Sequence, residues 1–136
     1  MKSYTDLEQS KKLEEMLPLE SADMIYTPMM DIDSMSNSGF FNIPECYSFN
    51  EFKDSDTKPL PCWSLAALLD LLPNNEHIET NISRGAWKLD TVEYVPNTWW
   101  CEYEDNKNQT KFSISADNPI DVCVDMIIKL NEQKLL

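Results

Sequence analysis

Apolar positions recur at helical spacing near the amino end of the chain. The capping-box pair Thr5 and Glu8 opens this stretch and Pro18 closes it, so we predict a helix over residues 6–16. The apolar side chains that share one face of this helix are Leu7, Leu13, Met16 and Leu17.

Two further stretches predict helices. Residues 62–72, between Pro61 and Pro73, are almost uniformly apolar, which indicates a central helix buried on all sides. Residues 118–133 follow Asp117, a suitable N-cap, and have one apolar stripe. The members of that stripe are Ile120, Cys123, Val124, Ile127 and Leu130.

Between these two helices, alternating residues predict three antiparallel strands. We place them at 86–95, 98–104 and 110–115, with turns at Pro96–Asn97 and at 105–108. The middle strand has Trp99, Cys101 and Tyr103 on one face and Trp100, Glu102 and Glu104 on the other.

The first half of the chain is less regular. Residues 23–27 indicate a short strand, and residues 28–60 form a loop-rich insert with one or two further strands around Pro44. The predicted order is therefore α-β(β)-α-βββ-α. This order is typical of an α+β fold, an antiparallel sheet packed against about three helices, in a single domain over residues 1–136.

The charge of the chain excludes one class of function. Its 136 residues contain 24 Asp and Glu against 11 Lys and Arg, a net charge of −13. Nucleic-acid affinity depends mainly on basic residues that neutralise phosphates, so direct binding of DNA or RNA is not expected. An acidic surface instead favours solubility, capture of a basic protein, or mimicry of a nucleic acid towards such a protein.

Cysteine spacing and hydropathy suggest a reduced, cytoplasmic protein. The four cysteines (Cys46, Cys62, Cys101 and Cys123) form no CxxC pair, and the first residues contain no apolar stretch typical of a signal peptide. No apolar run approaches the ~20 residues of a membrane span. Only 2 glycines and 1 histidine are present, so we predict neither a cofactor nor a metal.

The candidate chemistry is sparse. His77 could serve as the base for a nucleophilic Cys62 or Cys101, although its polar surroundings favour an exposed loop. Asp31 and Asp33 alternate as in a calcium loop, but the glycine and the final glutamate of that pattern are missing. Asp121 and Asp125 could join Glu102 or Glu104 at a metal, or simply face water near a helix N-terminus.

The outward face of the middle strand is the most distinctive feature of the sequence. Trp100 lies there with Glu102 and Glu104, and an indole among carboxylates is a possible platform for a protein partner. The alternative is that another segment, such as the 28–60 insert, covers it.

Three segments are similar to those of other small proteins: residues 61–69 (PCWSLAALL), 117–121 (DNPID) and 126–130 (MIIKL). Over residues 5–25 and 59–136 the chain resembles a group of small uncharacterised proteins from gut Bacteroides and their phages or mobile elements. The resemblance implies a bacterial cytosolic or infected-cell setting and an accessory role. It implies no activity, cofactor or site residue.

Three functional hypotheses follow from the sequence. The first is a non-enzymatic accessory protein that binds another protein or a second copy of itself, with Trp100, Glu102 and Glu104 as the interaction surface. The second is an enzyme or small-ligand-binding protein with a pocket near the sheet and the 28–60 insert. The third is an acidic nucleic-acid mimic that binds a basic protein.

Overall fold

The structure, a computed structural model, describes residues 2–30, 37–46, 58–88 and 93–136. Its contacts divide the chain into two compact units, Ser3–Ala67 and Leu68–Leu136, the second of which includes Met1–Lys2. The expectation of a single domain stays a prediction.

The first unit begins with helix α1, Leu7–Glu14. Its N-cap is Asp6, whose carboxylate accepts the Gln9 N–H at 2.7 Å, while the Gln9 side chain accepts the Asp6 N–H at 3.1 Å. This capping box lies one residue after the predicted pair Thr5 and Glu8, which was therefore wrong. Asp6 is exposed at the helix end, where its side chain can turn back to cap, whereas Thr5 is fully buried among other polar groups.

Four short strands follow a 3-10 turn at Leu19–Ser21. They are β1 (Met24–Tyr26), β2 (Pro28–Met30), β3 (Asn37–Phe40) and β4 (Leu60–Cys62). β1 pairs antiparallel with β4, and β2 with β3. Ile25 lies opposite Pro61 on one side and bridges Glu45 on the other. The strand expected at 23–27 is confirmed, whereas Asp31 and Asp33 lie outside the described residues.

The core of this unit lies between α1 and the β1–β4 pair. Trp63 follows β4, is completely buried, and donates its indole N–H to Ser21 Oγ at 2.9 Å, so its one polar group is satisfied. The other buried apolar residues of the first unit include Leu13, Leu17, Ile25, Tyr26, Leu60 and Cys62.

Helix α2, Leu65–Leu71, begins after Ser64. Asp23 fixes this start: its carboxylate accepts the Ser64 N–H at 2.9 Å and the Ser64 hydroxyl. The prediction that this helix is buried all round was wrong, because Leu69 is 42% exposed and Asp70 is also exposed. Leu68 is fully buried, so the helix is amphipathic although its composition is nearly uniform.

The second unit contains an antiparallel meander of β5 (Ile78–Lys88), β6 (Glu93–Asp105) and β7 (Thr110–Ala116), in that order. The single strand predicted at 86–95 was wrong, because residues 86–88 end β5 and pair with residues 93–95, which begin β6. The turn predicted at Pro96–Asn97 was also wrong, because β6 runs through it. The register passes from Arg84 opposite Trp99 to Ala86 opposite Val95, so residues 96–98 bulge opposite Gly85. A proline in a bulge removes no ladder hydrogen bond, and Gly85 accepts the positive φ of 77° that the bulge requires.

Helix α3, Pro119–Glu132, packs on one face of this meander. Its N-cap is Asn118, whose side chain accepts the Asp121 N–H at 2.9 Å, so the predicted cap Asp117 was one residue early. The predicted apolar stripe from Ile120 to Leu130 is confirmed as buried. With three helices and antiparallel sheets, the α+β class is confirmed. In the described part of the chain, no helix is both long and apolar enough to cross a membrane.

Candidate functional site

The two faces of the meander differ sharply. On the inner face, Cys101 and Tyr103 are completely buried, and the Lys129 ammonium of α3 lies 4.5 Å from the centre of the Phe112 ring. On the outer face, Glu102 and Glu104 are exposed. The alternation predicted along β6 is therefore confirmed, and α3 covers only the inner face.

Trp100 lies on the outer face and is half-buried. Its neighbours across the strands are Ser83 on β5 and Ser115 on β7, both exposed. Serine side chains are too short to cover an indole ring, so these two neighbours alone do not account for the half-burial of Trp100. We call this surface the Trp100 face; its members are Glu79, Asn81, Ser83, Trp100, Glu102, Glu104, Lys111, Ser113 and Ser115.

The Trp100 face has uncompensated negative charge. Glu79 and Glu104 are direct cross-strand partners, an arrangement that places like charges side by side and is destabilising. Lys111 lies opposite Glu104 on the other side. Lys2 and Asp121 form an ion pair at 2.9 Å, whereas none of the three glutamates has a cationic partner within 4.0 Å among the described residues.

The indole nitrogen of Trp100 is not available to a ligand. Nε1 is buried and has no hydrogen-bond partner among the described residues. The exposed part of the residue therefore does not include its only side-chain donor. Such a ring offers a partner an aromatic surface, suited to stacking or to a cation, rather than a hydrogen bond.

Beneath this face, the Tyr103 hydroxyl is also buried without a partner in the described part of the chain. Its ring stacks on Phe112 with the ring centres 4.8 Å apart. Burial raises the pKa of Tyr103, and the nearby Asp105 carboxylate raises it further. The ring thus stabilises the core while its hydroxyl group destabilises it.

Removing that hydroxyl should not weaken the fold. We expect Tyr103→Phe to raise the free energy of unfolding by about 0–2 kcal/mol, because an unpaired buried hydroxyl costs about 1–3 kcal/mol. Tyr26→Phe is the matched control, since the Tyr26 hydroxyl donates to the Thr5 carbonyl at 2.7 Å and its loss should be destabilising. Urea denaturation of both variants measures the difference, and equal losses of stability would contradict the prediction.

Three of the four thiols are in surroundings that suppress nucleophilic chemistry. Cys62, Cys101 and Cys123 are completely buried, and Cys46 is exposed. Burial raises the pKa of Cys101 to about 11 and that of Cys123 to about 12. Burial also raises the pKa of Cys62, although hydroxyl groups of Thr5 and Ser10 oppose the shift.

His77 is exposed and lies at the end of the meander. The His77 carbonyl accepts the Asn106 N–H at 2.9 Å. The pKa of Asp105 is lowered, chiefly by hydrogen bonds from Asn108 and to a smaller extent by His77. Cys101 is four residues along β6 from Asp105, roughly 13 Å away. The structure therefore does not bring His77 and Cys101 together, and a pairing of His77 with Cys62 stays a prediction.

No metal site emerges in the described ranges, where no three His, Cys, Asp or Glu residues are grouped to hold an ion. Asp121 accepts Lys2 Nζ at 2.9 Å and Asn118 Nδ2 at 2.8 Å, and its helix lies on the face opposite Glu102 and Glu104. The arrangement of Asp121 and Asp125 with those glutamates is therefore not found.

Described residues line shallow depressions on the surface, among them two of similar size. One, of about 290 Å³, surrounds the β6–β7 turn between Glu104 and Lys111. The other, of about 320 Å³, lies in the first unit and is lined by Thr27, Phe41, Ile43 and Glu45.

Comparison of the chain with protein-family models, with curated proteins and with solved structures finds no match. The site must therefore be interpreted from its own geometry.

Proposed function

We propose that the protein is a cytoplasmic, non-enzymatic accessory protein whose Trp100 face binds a basic segment of a partner protein. The observation that carries this proposal is the half-buried Trp100 ring on a sheet face that α3 does not cover. The carboxylates around it have no cationic partner in the described part of the chain. The partner segment would present an Arg or Lys side chain to the ring.

The chemistry of the face suits a cation. An Arg or Lys group over a tryptophan ring contributes about 0.5–2 kcal/mol, depending on how far it is desolvated. Glu102 lies two residues along β6 on the same face, about 7 Å away between Cα atoms, so a guanidinium stacked on Trp100 can reach its carboxylate. One partner side chain can thus contact both groups.

The charge of the whole chain supports the same partner. A net charge of −13 attracts basic proteins over distances up to the screening length, about 8 Å at physiological salt. Long-range attraction would increase the association rate, and the Trp100 face would supply the short-range contacts.

Anisotropy of a short fluorescein-labelled peptide of alternating Arg and Ser tests the proposal. We expect Trp100→Leu, which keeps apolar bulk but removes the aromatic ring, to weaken binding about fivefold or more. Trp100→Tyr should retain most of the affinity. Glu102→Gln should weaken binding about threefold, whereas Glu132→Gln, which removes the same charge from the far side of the unit, should change it less than twofold.

The acidic-mimic hypothesis makes different predictions for the same measurements. If affinity depends on total charge alone, Glu102→Gln and Glu132→Gln weaken binding equally and Trp100→Leu has no effect. That result would overturn the proposed role of the Trp100 face. Circular dichroism melting of each variant separates a loss of binding from a loss of folding.

A further inference from the structure

Strand β7 forms an open edge of the meander. In the described part of the chain it is hydrogen-bonded to β6 on one side only. An edge strand has unpaired N–H and C=O groups that can template another strand. The question is which strand this edge fits.

The side chains of β7 show that its outer flank is uncovered. Phe112 and Ile114 point to the inner face, where their cross-strand partners Tyr103 and Cys101 are completely buried. Phe112 and Ile114 themselves are only half-buried, and no residue of β7 is fully buried. A strand added beside β7 would extend the apolar layer under α3 and cover them.

The two edges of the meander are protected to different degrees. The other edge, β5, is irregular at Gly85, which has a positive φ of 77° opposite the bulge in β6, and it has the exposed charges Glu79 and Arg84. Residues 112–116 of β7 have no charge, no proline and no bulge. Natural edges usually have such devices against pairing. β7 has one of them, Lys111 near its start, so residues 112–116 are the least protected stretch of the two edges.

The sequence of β7 is complementary to itself. We propose that a second copy of this chain pairs antiparallel with β7 about a two-fold axis at Ser113. Phe112 of each copy then lies opposite Ile114 of the other, and Lys111 lies opposite Ser115 and diagonal to Asp117. Asp117 follows β7 directly, in a bend, and is exposed like Lys111, Ser113 and Ser115. The dimer thus gains two apolar pairs and two opposite-charge contacts.

This pairing has a consequence for binding. Directly opposed residues of an antiparallel pair lie on the same face, so the two Trp100 faces join in one six-stranded sheet. A partner with two basic segments could then engage both faces, and its avidity would exceed the affinity of one face. The dimer itself does not depend on the proposed function.

Complementary charge variants test the dimer by sedimentation. Lys111→Glu places a carboxylate near Asp117 of the other copy, and Asp117→Lys places a second ammonium group near Lys111, so each variant alone should dimerise about tenfold more weakly or worse. In an equimolar mixture, a heterodimer with one copy of each variant has opposite charges at both contacts between positions 111 and 117. This heterodimer should therefore form with near-parental affinity. Both positions are exposed, and melting curves confirm that each variant folds.

Sedimentation is measured at about 0.15 M salt, where long-range repulsion between the acidic chains is largely screened but direct contacts persist. The proposal is overturned if the parent chain sediments as a monomer at about 0.5 mM. It is also overturned if both variants dimerise as the parent does, or if their mixture associates no better than either alone. Trp100→Leu should leave the dimer intact, which separates this result from failure of peptide binding.

Discussion

Thr5→Val should lower the free energy of unfolding by about 2–4 kcal/mol. The Thr5 hydroxyl is completely buried and accepts the Trp63 N–H at 3.1 Å. It also lies 2.7 Å from Ser10 Oγ and donates to Cys62 Sγ at 3.6 Å. Valine fills the same space but leaves the Trp63 N–H and the Ser10 hydroxyl buried without their partner, and each such group costs about 1–3 kcal/mol.

Thr5→Ser is the matched control for that experiment. Serine keeps the oxygen and loses one methyl group, which should cost about 1 kcal/mol. Urea denaturation followed by circular dichroism measures both variants, and exchange of the Trp63 amide hydrogen reports directly on the lost bond. Equal stability of the valine and serine variants would show that the buried hydroxyl contributes nothing, contrary to this account.

Local periodicity explains which parts of the fold could be predicted. Helix α3 has an apolar stripe at helical spacing, a nearby cap and a proline at its first position, so its extent was predicted to within a residue or two. The alternation at 99–104 correctly assigned Cys101 and Tyr103 to the inner face. Signals of this kind lie within a few residues of each other and need no tertiary information.

Features that depend on distant residues could not be predicted. Thr5 looked like a helix cap because threonine often is one, but its partner Trp63 is 58 residues away. Pro96–Asn97 looked like a turn, whereas tertiary pairing with β5 places it in a bulge. Residues 78–85 of strand β5 were not predicted as a strand. The outward residues Glu79, Asn81 and Ser83 are polar and give no strand signal. Thr80 and Ile82 lie opposite buried residues of β6, and this pairing is not visible in the local sequence.

The candidate site was predictable in part. Alternation assigned Trp100, Glu102 and Glu104 to one face, but it could not show the half-burial of Trp100 or the burial of its indole nitrogen. It also could not reveal Glu79 beside Glu104, since that pairing depends on the unpredicted strand β5. The role of these residues in binding stays a prediction.

Cysteine reactivity should differ by about a thousandfold or more between Cys46 and the other three thiols. Cys46 is exposed, whereas Cys62, Cys101 and Cys123 are fully buried. Only the thiolate reacts with alkylating reagents, and a pKa of about 11 for Cys101 leaves roughly one thiol in a thousand ionised at pH 8. Iodoacetamide labelling of the native protein, followed by peptide mass spectrometry, measures each rate separately.

The variant Cys46→Ser makes this test decisive for one form of the enzyme hypothesis, in which Cys62, Cys101 or Cys123 is the nucleophile. It should show no fast labelling until urea unfolds the protein, after which Cys62, Cys101 and Cys123 should react at similar rates. A cysteine nucleophile must be accessible and ionised near neutral pH. Because Cys62, Cys101 and Cys123 are buried, they are neither. Fast, selective alkylation of one of them in native Cys46→Ser would contradict the structure and favour a catalytic cysteine over the binding function proposed for the Trp100 face.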